Sequence, residues 1–200
     1  TIAGLVLACA STSVCAETIA STKIRQNLYA TCFISETEGW AVGDLGRIFH
    51  STDGGQSWER QSVGTNKKPF VAISCLDANH VWLAGQAGQI AFSGDGGQNW
   101  QLQNSGTDMQ LLDIEFSDAQ HGIAVGNFGL LLRTTNGGQS WQRLSVPDGV
   151  PQPMEALDPP SKFLLYSVTY ADPMHIRVAG EFGLIILSLI HISEPTRPSS

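Results

Sequence analysis

The sequence predicts an all-β fold, a β-propeller built of four-stranded antiparallel blades, and three observations carry that reading. One eight-residue pattern occurs three times, as Ser51–Trp58, Ser93–Trp100 and Thr134–Trp141, each with an Asp or Asn, paired glycines and a closing Trp. The spacing is even: Trp58 to Trp100 is 42 residues and Trp100 to Trp141 is 41, a period at which one repeat makes one blade. A second marker keeps step, a G-x-x-G turn at Gly43–Gly46, Gly85–Gly88, Gly126–Gly129 and Gly180–Gly183. Composition agrees, since 21 glycines and only 14% charged residues suit short strands and tight turns better than long surface helices.

Each unit reads as four strands in order. In the second unit they are Phe70 to Leu76, Val81 to Gly85, Gln89 to Ser93 and Asn99 to Gln103, each bounded by turn residues. The G-x-x-G glycines reverse the chain between strands two and three, accepting positive φ where needed. The eight-residue pattern is an Asp-box. Its Asp or Asn is expected to fold onto nearby backbone N–H groups while the glycines take unusual dihedrals, which marks Asp53, Gly55, Trp58, Asp95, Gly97, Trp100, Asn136, Gly138 and Trp141 as structural residues. The closing Trp is expected to open strand four and pack into its own blade's hydrophobic layer. The blades then span about 28–62, 70–104, 111–145 and 164–188, the last incomplete.

Three stretches stand outside the repeat. Residues 1–16 are uncharged, with an apolar run Ile2–Ala10, and read as a secretory signal. Cleavage after Ala16 fits the small-x-small rule, while Val6-Leu7-Ala8-Cys9 is similar to a lipobox, in which Cys9 would carry a lipid anchor. Export to the periplasm, or to a thylakoid lumen in a photosynthetic source, is the expected localisation. An insertion at Pro147 to Lys162, rich in Pro and acidic residues, reads as a long loop between blades. The fourth unit reaches Ser188 without an Asp-box, and residues 189–200 are similar to translated adapter sequence. The reading is therefore a partial propeller with open blade faces, expected to be unstable on its own. Cys32 and Cys75 align to adjacent strand positions, which face opposite sides, so they are expected not to pair.

The Asp-boxes, with strands such as Trp40-Ala41-Val42-Gly43-Asp44-Leu45-Gly46, resemble the photosystem II stability/assembly factor family of seven-bladed propellers across about Leu28 to Ser188. More loosely, the box is similar to the bacterial neuraminidase repeat of sialidases. The closer resemblance implies a non-enzymatic protein-binding scaffold or assembly chaperone acting on a membrane-protein subunit. The looser one implies a carbohydrate-active propeller. Photosynthetic members are associated with an arginine patch, whereas Arg47, Arg60, Arg133, Arg143 and Arg177 are scattered here.

The residues point away from most chemistry. A formal net charge of -7 argues against nucleic acid, whose binding requires phosphate neutralisation by Lys and Arg. Glycoside hydrolysis needs paired carboxylates, or in sialidases a tyrosine nucleophile. Tyr29, Tyr166 and Tyr170 sit in strand-one patterns, so no catalytic set assembles. His80, His121 and His175 recur near Asp77, Asp118 and Asp172, but equivalent positions in neighbouring blades lie a blade width apart, and one Asp per box is too few oxygens for calcium. No metal or other cofactor is expected. A partner site is sought instead on the face formed by the G-x-x-G turns, where Asp44, Arg47, Gln86, Gln89, Asn127 and Glu181 differ between units while the framework repeats.

Overall fold

The computed structural model describes residues 24–65, 67–145, 163–172 and 175–189. The expected signal segment, the Pro147 to Lys162 insertion and the 189–200 tail lie outside the described residues, apart from Leu189, which ends the last strand.

Among the described residues every regular element is a strand or a tight turn. The first sheet contains β1 (Leu28–Phe33), β2 (Gly39–Gly43), β3 (Arg47–Ser51) and β4 (Glu59–Ser62). The second contains β5 (Phe70–Cys75), β6 (Val81–Gly85), β7 (Ile90–Ser93) and β8 (Gln101–Gln103). The third contains β9 (Leu111–Phe116), β10 (Gly122–Gly126), β11 (Leu130–Thr134) and β12 (Gln142–Arg143), and the fourth contains β13 (Leu165–Asp172), β14 (His175–Gly180) and β15 (Ile185–Leu189). All neighbours within a sheet are antiparallel and follow chain order, so the described residues form about four up-and-down blades. Consecutive sheets approach most closely along their first strands β1, β5, β9 and β13, which gives a propeller arc with strand one innermost.

The core lies between blades. Period-two alternation sends Val81, Leu83 and Ala91 of the second blade toward Trp40, Val42 and Ile48 of the first. The intervening Trp82, Ala84 and Ile90 face Ile114, Ala124, Leu130 and Leu132 of the third. On the far side of the third blade, Ile123, Val125 and Leu131 meet Val168, Ile176 and Val178 of the fourth. Each second strand in the first three blades is buried at every position, and in the second and third blades both faces are covered by a neighbouring sheet, which explains why those strands read as continuous apolar runs.

This two-sided packing corrects one expectation and extends another. Cys32 and Cys75 do pair: their sulfur atoms are joined across the first and second blades, with Cα atoms 6.1 Å apart. Facing opposite sides of one's own sheet does not keep two positions apart in a propeller, because opposite faces of neighbouring blades are the ones that confront each other. One blade further on, Ser74 stands where Cys32 does and Phe116 where Cys75 does, and the Phe116 N–H donates to Ser74 Oγ at 3.1 Å. The closing tryptophans, expected to pack into their own blade's layer, do so where that layer meets the preceding blade. Trp100 packs on the core between the first and second blades, and its Nε1 donates to Gln61 Oε1 of the preceding blade at 3.2 Å. Trp141 packs on the core between the second and third, edge-on to Phe116. The fully buried tryptophans are Trp40 and Trp82 in the second strands.

Candidate functional site: the turn face

Two kinds of turn punctuate each of the first three blades, one at each end, and the fourth carries the G-x-x-G turn. At the Asp-box end the side chains build the turn. Asp53 Oδ1 accepts the Ser57 N–H at 2.8 Å and the Ser51 hydroxyl at 2.8 Å, while Ser51 Oγ accepts the Gly55 N–H at 2.8 Å. Asp95 does the same with Asn99 and Ser93, and Asn136 with Ser140 and Thr134. Gly54 and Gly55 take φ of 74° and 85°, left-handed values that side-chain-bearing residues adopt only under strain. The Gly54, Gly96 and Gly137 N–H groups then dock onto the carbonyls of Thr37, Asn79 and Gln120 in the first hairpin of the same blade.

These contacts serve folding. The Ser57 hydroxyl, the Ser57 N–H and the Ser51 hydroxyl, in that order, hold the Asp53 carboxyl down at about 2. A depressed carboxylate pKa contributes stability that is present above the ordinary value of 3.8 and lost as pH falls toward about 2. Asp53→Asn should therefore lose less thermal stability than the parent chain on acidification across that window, since Asn136 already makes the same Oδ1 contacts in the third box. Melting curves at stepped pH check this; identical acid sensitivity in the two proteins would show that Asp53 contributes nothing to it.

The hairpin histidines are equally local. His80, His121 and His175 each bond their own Asp77, Asp118 or Asp172 through Nδ1 at 2.9, 2.9 and 2.7 Å. Among the described residues no cluster of three or more His, Cys, Asp or Glu stands close enough to hold a metal ion.

The opposite end carries the G-x-x-G turns. The residue after the first glycine donates its N–H to the residue preceding strand one: Asp44 to Asn27, Gln86 to Pro69, Asn127 to Gln110 and Glu181 to Leu164, all at 3.0–3.1 Å. A Cβ at Gly43, Gly85 or Gly126 would overlap those same carbonyls, so close approach, not dihedral freedom, demands glycine there. The reversal itself has the two-residue geometry in which both central residues take positive φ, for which Asn-Gly is favoured. Here the first central residue is Leu45 (φ 60°), Ala87 (56°), Phe128 (58°) or Phe182 (56°).

The six residues expected to recognise a partner all lie at this end, with unequal freedom. Asp44 accepts the Tyr29 hydroxyl at 2.7 Å and Asn27 Nδ2 at 2.8 Å. Glu181 accepts the Leu164 N–H at 2.9 Å and the Tyr166 hydroxyl at 3.3 Å. Gln89 is tied inward, its Nε2 donating to the Pro69 and Lys68 carbonyls at 2.6 and 3.0 Å, so it braces the turn. Arg47 is half-buried, with its Nε unpaired among the described residues. Gln86 is exposed and Asn127 half-buried. Residues that sequence reasoning passed over are the turn tips Leu45, Phe128 and Phe182, all large, apolar and exposed. Their signal was a bulky residue directly before the second glycine, where Asn is the inexpensive choice.

The family model of the photosystem II assembly factor YCF48 matches residues 11–105 and 99–186. The chain belongs to that family. Among solved structures, YCF48 bound to a D1 peptide is 17% identical, with 84% of this chain and 79% of that one covered at a TM-score of 0.54. YCF48 from Cyanidioschyzon merolae is also 17% identical, with 82% of this chain covered at a TM-score of 0.61. This chain spans half the length of that structure. An ancestral GH74 enzyme is 20% identical and covers 85% of this chain but 26% of its own length, with a TM-score of 0.53. At these identities the likeness is one of fold. No curated protein matches in sequence.

Proposed function

We propose that this YCF48-family chain is an exported, non-enzymatic protein-binding propeller that acts as a scaffold or assembly factor for a membrane-protein complex. The observation that carries the reading is the family match across 11–186, laid over a fold in which Asp53, Asp95 and the His–Asp pairs hold turns together. A relative solved with a D1 peptide in place supports a protein partner of the membrane-subunit kind. The experiment is affinity capture from detergent-solubilised membranes of the source organism, using the tagged chain as bait with in-cell crosslinking. A membrane-protein subunit enriched over the tag-only control is the expected result; its absence counts against the proposal.

The ancestral GH74 neighbour motivates a second reading, a carbohydrate-active propeller. Its chemistry needs two carboxyl groups flanking a substrate bond. The cleft at the outer junction of the first two blades, about 560 Å³, is lined by Glu38, Glu59 and Asp95 among others. Glu38 meets His50 Nε2 at 3.4 Å and Asp95 is bound within its own turn, which leaves Glu59 alone. Turnover of chromogenic glycosides by the purified chain would favour this second reading over the first.

A further inference from the structure

The turn face holds a combination that folding does not account for. Leu45, Phe128 and Phe182 occupy the left-handed region, an outlier conformation for bulky residues that is kept only when something compensates it. Core burial is not the compensation, because these side chains are 52%, 50% and 71% exposed. Nor is turn geometry, since Asn or Gly would fill the position with less strain. Strain and exposed apolar surface therefore coincide at the same turn in three of four blades, and strain at such positions clusters where proteins bind ligands.

The neighbours sharpen the chemistry. Tyr29 and Tyr166, each 50% exposed, precede the first and fourth turns, and each donates its hydroxyl to the turn's own carboxylate, Asp44 or Glu181. Those bonds hold two aromatic rings beside the tips and give a partner to the carboxylate of each of those two turns. Exposed, rigidly held aromatic and aliphatic side chains with quenched charge are the composition of an interface core, in which charged residues are depleted and aromatic residues enriched.

We infer that the G-x-x-G turn face, through Leu45, Phe128 and Phe182 with Tyr29 and Tyr166, is a docking surface for an uncharged, apolar segment of a partner protein. This rests on the protein-binding reading and adds its location and the chemistry it selects. Charge favours a protein segment over a bilayer: surface-seated membrane proteins flank apolar tips with Lys and Arg, whereas Lys67 and Lys68 stand beside the second turn, whose tip is Ala87 and not a bulky apolar residue, the turns themselves contribute Arg47 alone, and the chain carries a formal net charge of -7.

The test replaces the tips without damaging the turn. Phe128→Asn and Phe182→Asn together create two Asn-Gly reversals, the favoured chemistry for this geometry. The probe is a library of short random peptides displayed on phage and selected on the full chain, with enriched peptides then synthesised and titrated against parent and variant. The expected result is a set of peptides rich in Leu, Phe and Ile that bind the variant at least about tenfold more weakly, while the variant melts at the parent's temperature or above it. Peptides that bind both proteins equally, or are selected for charge, overturn the assignment of the face while leaving membrane capture by the parent chain to decide the broader reading. A variant that melts lower shows the tips to be structural and also overturns it. So does cosedimentation of the parent with phosphatidylserine vesicles that the variant loses, which would make the tips a membrane contact.

Discussion

Trp82→Ala should be the most damaging single substitution in the described residues, lowering stability by about 3–5 kcal/mol. Trp82 is fully buried, stacked on Phe116 of the next blade with ring centroids 3.8 Å apart, and packed on Phe92 of its own at 4.8 Å. Burying an indole removes 150–250 Å² from water, which at ~25 cal/mol/Å² bounds the gain at roughly 4–6 kcal/mol. The lost hydrogen bond adds little, because the Gly137 carbonyl that accepts Trp82 Nε1 at 3.2 Å also accepts Gln103 Nε2 at 2.8 Å and stays satisfied. The cost is therefore one of packing between blades two and three, and Trp82→Phe should recover much of it. Trp141→Ala should cost clearly less, since that indole is half-buried with its Nε1 unpaired. For a chain of this size a loss of that order corresponds to a fall in Tm of about 10 °C, readable by thermal unfolding. A Trp82→Ala protein melting within about 2 °C of its parent would show that the interface is not held at this point.

The propeller was legible in the sequence because its punctuation is chemical. Asp53, Asp95 and Asn136 with their paired glycines have few substitutes in that turn, and Trp58, Trp100 and Trp141 mark the period, so blades could be counted before any strand was placed. What lay hidden was the relation between blades. Nothing in a repeat read unit by unit says that Val81 and Trp82, adjacent in one strand, belong to different cores. For that reason Cys32 and Cys75 read as mismatched, and the share of the preceding blade in holding Trp100 through Gln61 did not show. The turn face was half legible. The glycine spacing located it, and Asp44, Gln86, Asn127 and Glu181 do sit at equivalent positions there. The φ of Leu45, Phe128 and Phe182 was not, because a G-x-x-G pattern does not say which of its residues turns left-handed. Gln89 drew notice as a variable turn residue, yet its amide is spent on backbone carbonyls that only the folded linker brings near.

The bridge between Cys32 and Cys75 should be the second large contributor, and it acts by a different route. It joins the first strands of two blades across a sequence separation of 43. In the chain-entropy account, closing a loop of that length removes freedom from the unfolded chain worth about 4 kcal/mol, an upper figure where the unfolded state retains structure. The native interface needs little from it, since at the equivalent positions in the next pair of blades a hydrogen bond from Phe116 to Ser74 takes the place of a covalent link. Reduction, or Cys75→Ser, should accordingly lower the melting temperature by about 10 °C while leaving the β-sheet circular dichroism of the folded state unchanged. Peptide mapping without reductant should return the two cysteines in one linked fragment after export or oxidative refolding. Free thiols at both positions in oxidised, folded protein, or a reduced form as stable as the oxidised one, would exclude the bridge as a support of the fold. The interblade core around Trp40, Val42 and Phe70 would then have to hold those two blades together unaided.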